Sequence, residues 1–264
     1  MVFYCCLCTS NGGAMHVSCN DIRLNFVCGY SCMSTGTYTQ NQFGYLLVKS
    51  SGRIEIDQIS IVKCPNNTLV NNRYTTILLS NGTQSIKKSN VSNNQLYHIV
   101  ITIANSRETV FQHSIVSKNY ISAIGMIYAH YLEQKHYFSQ LNILNNNQGG
   151  TNYGLLYYRT KTTLNRYQDC CISGNTNNLF YLSDGTVELL NCLVNHPLGK
   201  IAISIGAGNT VMDTNTIVPT IPLVIFSTHD CFSEFSFAST ILPASIHSFL
   251  FSHSLSMLFF AIYW

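Results

Sequence analysis

One short pattern recurs along this chain of 264 residues and limits what it can fold into. A polar residue and a small or polar residue precede an aliphatic one, and asparagine-rich polar residues follow. The pattern reads QISIV at 58–62, KSNVSNN at 88–94, QHSIVSKN at 112–119, QLNILNNN at 140–147, DCCISGN at 169–175 and LNCLVN at 190–195. Weaker copies are CCLCTSN at 5–11, LNFVC at 24–28 and TNTIV at 214–218. The anchoring residues are Leu7, Phe26, Ile61, Val91, Ile115, Ile143, Ile172, Leu193 and Ile217, spaced 19 to 35 residues apart. Self-similarity at such a period marks stacked repeats, each one a supersecondary unit unable to bury its apolar face alone.

A second landmark moves with the anchors. GAMHV at 13–17, GYLLV at 44–48, GMIYA at 125–129, GLLYY at 154–158 and LFYL at 179–182 lie between them. The later copies are followed by a polar turn and another β-prone run. In the stretch from Asn178 to Pro197 the turn holds Asp184-Gly185, which alone would suggest a β-hairpin. Other copies fill the same slot with Gln-Lys or Lys-Thr-Thr, which are poor hairpin turns. The shared order of strand, turn, strand, turn, short strand fits one coil of a parallel β-solenoid, with an antiparallel sandwich as the alternative.

Strand alternation places each anchor and the residue two before it in one core. Leu24/Phe26, Ile59/Ile61, Leu141/Ile143 and Cys170/Ile172 fit this rule, whereas Ser89/Val91, His113/Ile115 and Asn191/Leu193 fit less well. After the anchors comes a row of asparagines, with Asn94, Asn119, Asn146, Asn175 and Asn195 as the expected ladder. Asparagine tolerates the left-handed backbone of a tight corner, and stacked amides can bond along the axis. Cys171 and Cys192 each precede an anchor in successive coils and form an expected stacked pair, bridged or unbridged.

The Gly12-Gly13-Ala14 opening, the Asn-Cys-aliphatic anchors and the loose coil length resemble the right-handed parallel β-helix superfamily. That superfamily includes pectin-lyase-like domains and polymorphic outer-membrane proteins. The repeated Phe-Ser pairs at 226–227, 232–233, 235–236 and 251–252 are similar to segments that follow β-helices in surface proteins of parasitic protozoa. The resemblance implies an all-β fold: a single right-handed parallel β-helix of about eight or nine coils over 1–218. A Phe/Ser-rich hydrophobic tail would occupy 219–264. More loosely, it implies a cell-surface or secreted location.

Charge narrows the function classes. Only 9% of residues are charged, and the net charge of +3 is spread thinly, with Lys87-Lys88 the only adjacent basic pair. No basic stripe is present, so nucleic acid is not an expected partner. The 27 asparagines, 28 serines and 22 threonines, with many tyrosines and isoleucines, favour strands and turns. Polysaccharide-cleaving enzymes need clustered carboxylates, yet Glu55 and Asp57 have no acidic partner at the equivalent place in the next repeat. No cofactor or metal set is expected, since neither the nine histidines nor the eleven cysteines show ligand spacing.

The ends raise separate expectations. MVFYCCLCTS lacks the basic start of a signal peptide and reads like the middle of a coil, as if the chain began inside a longer solenoid. Residues 246–264 are apolar except for two histidines and four serines. A membrane anchor, an exposed tail and a final strand pair are the competing readings. The leading expectation is a non-enzymatic surface or secreted module for adhesion, contacting carbohydrate or a host or cell-surface protein, with membrane contact through the tail. The alternatives are a carbohydrate-active enzyme or its decayed relative, and a fragment without independent function.

Overall fold

A computed structural model describes residues 1–8, 12–34, 41–64, 75–130, 136–149, 153–195, 202–204 and 210–213. Every strand pairing among them is parallel, and no helix occurs. The described residues form an all-β parallel solenoid, making about five turns between Thr75 and Asn195. The Asp184-Gly185 stretch is a rung and no hairpin. Strand Asn178–Leu190 runs through it and pairs in parallel with Gly154–Gln168, the register shifting only near Arg159 and Leu164.

Each turn has three walls. The first is built from Thr75–Ser80, Ile99–Ala104, Gly125–His130 and the opening parts of Gly154–Gln168 and Asn178–Leu190. The second stacks Thr83–Lys87 under the start of Glu108–Ser117 and of His136–Leu144. The third stacks Asn90–Ser92, the ends of those two strands, Cys171–Ser173 and Leu193–Asn195. The strands Met15–Tyr30 and Asn41–Val62 each bend through all three walls.

Corners explain the register. Between the second and third walls, Phe26, Gln58, Lys88, His113, Gln140, Asp169 and Asn191 all sit at φ between 49° and 61°, except Lys88 at 48°. A left-handed residue turns the chain sharply, at roughly 1–2 kcal/mol for a residue with a Cβ. Stacking offsets that cost, because each corner hands the next two inward side chains to the core. A second row of left-handed residues closes the third wall: Cys5, Ser31, Lys63, Asn93, Lys118, Asn145 and Gly174. Their amides donate to the carbonyl of the neighbouring turn, as Lys118 does to Leu144 at 3.0 Å.

The interior file of the third wall reads Phe3, Gly29, Ile61, Val91, Val116, Ile143, Ile172, Val194. Ile61, Val91, Ile143 and Ile172 are buried within it. Several expected anchors are corrected. Ile115 lies beside Asn90 and Asn142, half-buried, and Val116 takes its place, because the left-handed corner at His113 resets the alternation. Leu193 is displaced by one for the same reason: Asn191 is the corner, Leu193 stacks on Cys171, and Val194 joins the file. Phe26 is itself a corner residue and stands 62% exposed, while Leu7 pairs with Met33 past the second corner and is 68% exposed. Gly29 leaves a gap in the file that the buried ring of Phe43 fills; a Cβ there would meet the ring at 2.0 Å. Ile217 and the tail 219–264 lie outside the described residues.

The asparagine row is continuous from Asn94 to Asn175. Asn94 donates its side-chain amide to Asn119 at 2.8 Å, Asn119 to Asn146 at 3.0 Å, and Asn146 to Asn175 at 3.0 Å. Each also caps a carbonyl of the neighbouring third-wall strand, as Asn119 does at Val91. Asn195 is not part of it. That residue stacks on Ser173, two positions short of the ladder, and is exposed. Cys171 is corrected too: it faces outward beside Asn142 and Leu193, and the inward Cys170 lies in register with Cys192.

Candidate functional site

The outer face of the first wall carries the densest cluster of functional side chains. The register stacks Tyr128 on Tyr157 and Tyr157 on Tyr181. Ring centroids lie 4.7 Å and 4.6 Å apart, and Tyr153 closes the group at 5.4 Å from Tyr157 and 5.2 Å from Tyr181. His130 lies against Tyr128 with centroids 4.8 Å apart, and Arg159 follows two residues after Tyr157 in register with His130. The wall can come this close because glycine starts two of its strands. A Cβ at Gly154 would lie 2.4 Å from the backbone nitrogen of Tyr181, and one at Gly125 would lie 2.9 Å from the Gly154 carbonyl.

Ring faces in this stack are largely taken by neighbouring rings, so each tyrosine offers its edge and its hydroxyl. Ring edges carry the positive end of the aromatic quadrupole. Burial pushes the Tyr157 hydroxyl up to about 12, the adjoining Tyr128 and Tyr181 adding to the effect and Arg159 opposing it. Burial also raises Tyr181, with Tyr153 contributing. Both phenols therefore stay protonated near neutral pH and can donate hydrogen bonds. Burial lowers His130, and the Arg159 cation lowers it further, which favours a neutral imidazole. The cluster offers hydroxyl donors and one guanidinium, a set that suits an oxygen-rich ligand.

The second wall presents a different outer face. Arg166 and Glu188 form an ion pair across adjacent turns at 2.5 Å, and Arg23–Glu55 and Lys88–Asp57 approach to 3.9 Å. Glu55 and Asp57 thus face cations. Among the described residues no group of three His, Cys, Asp or Glu side chains is placed to hold a metal ion, and no helix is long and apolar enough to cross a membrane.

None of these tyrosines was singled out as a site by the sequence pattern, yet the signal was there. In GMIYA, GLLYY and NLFYL the tyrosine is the fourth letter each time, the position that parallel stacking superimposes. Tyr45 of GYLLV falls in the same file, but Leu78 and Thr102 stand between it and Tyr128, so the aromatic row does not reach it. No family model matches the chain, and no curated protein or solved structure matches it either. The structure shows a parallel solenoid, and no match ties it to pectin-lyase-like proteins.

Proposed function

We propose that the chain is a non-enzymatic surface or secreted β-helix module whose first wall binds carbohydrate. The observation that carries this reading is the stack of Tyr128, Tyr157 and Tyr181 with Tyr153, flanked by His130 and Arg159. A polysaccharide is rich in hydroxyl acceptors and repeats along its length. A row of phenol donors repeating once per turn, at a rung spacing of about 4.8 Å, offers it successive contacts without chemistry. The arrangement suits adhesion, in which many weak contacts add up along an extended surface.

We infer that the solenoid is right-handed and has about eight or nine coils over 1–218. Right-handed winding follows the general preference of parallel crossover connections. Eight or nine coils over 1–218 are consistent with a third-wall file of eight positions from Phe3 to Val194. A glycan array probed with the purified chain tests the function. Binding that is lost in Tyr157→Ala and weakened in Arg159→Ala, but kept in the distant Lys118→Ala, supports the reading. Release of shortened saccharide by the wild-type chain would replace it with a carbohydrate-active enzyme.

A further inference from the structure

The asparagine ladder has a sulfur counterpart. Two positions beyond the third-wall pair Tyr30–Val62 stand Cys32 and Cys64, and the Leu7–Met33 pair sets Cys6 beside Cys32. The row therefore runs Cys6, Cys32, Cys64, Asn94, Asn119. The bonding is continuous across the change of residue type: the Cys32 amide donates to Sγ of Cys64 at 3.1 Å, as the Cys64 amide donates to Oδ1 of Asn94 at 2.7 Å. All three cysteines are free thiols. Cys32 and Cys64 are fully buried, whereas Cys6 is half-buried, so the row has one accessible end.

Adjacent rungs lie about 4.8 Å apart, inside the Cα separation of roughly 4.4–6.8 Å that a disulfide spans. Three sulfurs in one axial row also meet the geometric need of thiol–disulfide exchange, in which the attacking, central and leaving sulfurs are roughly in line. We propose that Cys6, Cys32 and Cys64 form a thiol relay that carries a disulfide from the solvent-facing end of the row to a buried Cys32–Cys64 bond. The co-reactant is a low-molecular-weight disulfide. The Cys6 sulfur attacks it, one small thiolate leaves with the Cys6 proton, and a mixed disulfide forms. The Cys32 sulfur then attacks Cys6, releasing the second small thiol with the Cys32 proton and leaving a Cys6–Cys32 bond. Finally the Cys64 sulfur attacks Cys32, the Cys6–Cys32 bond breaks, and the Cys64 proton passes to Cys6. Two electrons leave the Cys32 and Cys64 thiols, and one external disulfide becomes two thiols.

Environment favours the middle position as the reactive one. Hydrogen bonding from the Cys64 thiol, opposed by burial and helped by Cys6, draws Cys32 down to about 6. Burial holds Cys64 and Cys6 up. The central thiol is thus the one that gives up its proton most readily, and its two neighbours hold theirs.

Oxidised glutathione added to the reduced full-length chain, with acid-quenched time points and tryptic mapping, tests the relay. Trypsin separates the three thiols into the peptides 1–23, 24–49 and 64–73, and Cys64 is the only cysteine in the last. In the wild-type chain, a 1–23 to 24–49 link should appear first, assigned by fragment-ion sequencing to Cys6 among Cys5, Cys6, Cys8 and Cys19 and to Cys32 over Cys28, then decay as a link from Cys32 to Cys64 in 64–73 grows. Cys6→Ser should slow the second link at least tenfold without preventing it. Absence of the Cys32–Cys64 link in the wild-type chain would overturn the proposal. So would its formation at an unchanged rate in Cys6→Ser. The wild-type order of appearance decides the matter even if a variant fails to fold.

Discussion

Asn94 directs two donors at one acceptor: its backbone N–H and its side-chain amide both reach Oδ1 of Asn119, at 3.0 and 2.8 Å. Asn119 repeats the arrangement on Asn146, and Asn146 on Asn175. Each side-chain amide also donates to a carbonyl of the preceding turn, so each asparagine supports the rung on either side.

Truncating the middle of the row should therefore be severe. Asn119→Ala removes the acceptor of the Asn94 backbone N–H and of one Asn94 side-chain N–H, together with the Val91 carbonyl's side-chain donor, and should destabilise the fold by about 2–4 kcal/mol. Urea denaturation followed by circular dichroism measures it. A change within about 0.5 kcal/mol would show that the row carries no stability.

The interior file makes a paired prediction. Val116 is fully buried while its neighbour Ile115 is not. Val116→Ala should cost about 2 kcal/mol or more, and Ile115→Ala less than half as much, although isoleucine loses the larger volume. The reverse order in denaturation midpoints would restore Ile115 as the anchor.

Corner residues can be improved. Lys118 is exposed at φ 53°. Lys118→Gly should raise stability by about 0.5–1 kcal/mol, because glycine adopts this conformation without Cβ strain. Lys118→Val should lower it, since a β-branched residue is the poorest choice at positive φ. Thermal melts of the two variants should move in opposite directions.

His136 sets an acid limit. It is buried in the second wall between Thr109 and Asn165, with neither ring nitrogen hydrogen-bonded. Burial lowers it from an ordinary 6.5 to about 4. Between those pH values the unfolded chain binds a proton that the folded chain excludes. Stability from this group is thus flat above about pH 6.5, falls as the pH drops through that window, and levels off below about 4. The total loss is about 3 kcal/mol. His136→Leu should remove this slope and leave stability at pH 7 unchanged or higher, as denaturation midpoints across the window would reveal.

Much of this was legible in the sequence, and the two anchors misplaced by one residue, Ile115 and Leu193, share one cause. The asparagine row could be read because Asn94, Asn119, Asn146 and Asn175 each follow the residue that turns the corner: Asn93, Lys118, Asn145 and Gly174. Ile115 and Leu193 were misplaced because HSIVS and NCLVN each hold two adjacent apolar residues. Only the left-handed residue ahead of them decides which one points inward. That residue is His113 in one copy, Lys88 in another and Phe26 in a third, so its identity carries no signal. The alternation rule did not separate right from wrong: His113/Ile115 and Asn191/Leu193 fitted poorly, but so did Ser89/Val91, whose Val91 is buried, whereas Leu24/Phe26 fitted and Phe26 is exposed. The tyrosine stack escaped because it depends on register between turns, which no single repeat displays.

Methyl-to-methyl nuclear Overhauser contacts test most directly that each rung lies over its equivalent. Selective labelling of isoleucine and valine should give an unbroken chain of contacts from Ile61 through Val91, Val116 and Ile143 to Ile172, at rung spacings near 4.8 Å. Contacts from Ile115 in place of Val116 would contradict the account. So would strong cross-strand Hα–Hα peaks, which arise from the close pairs of antiparallel strands.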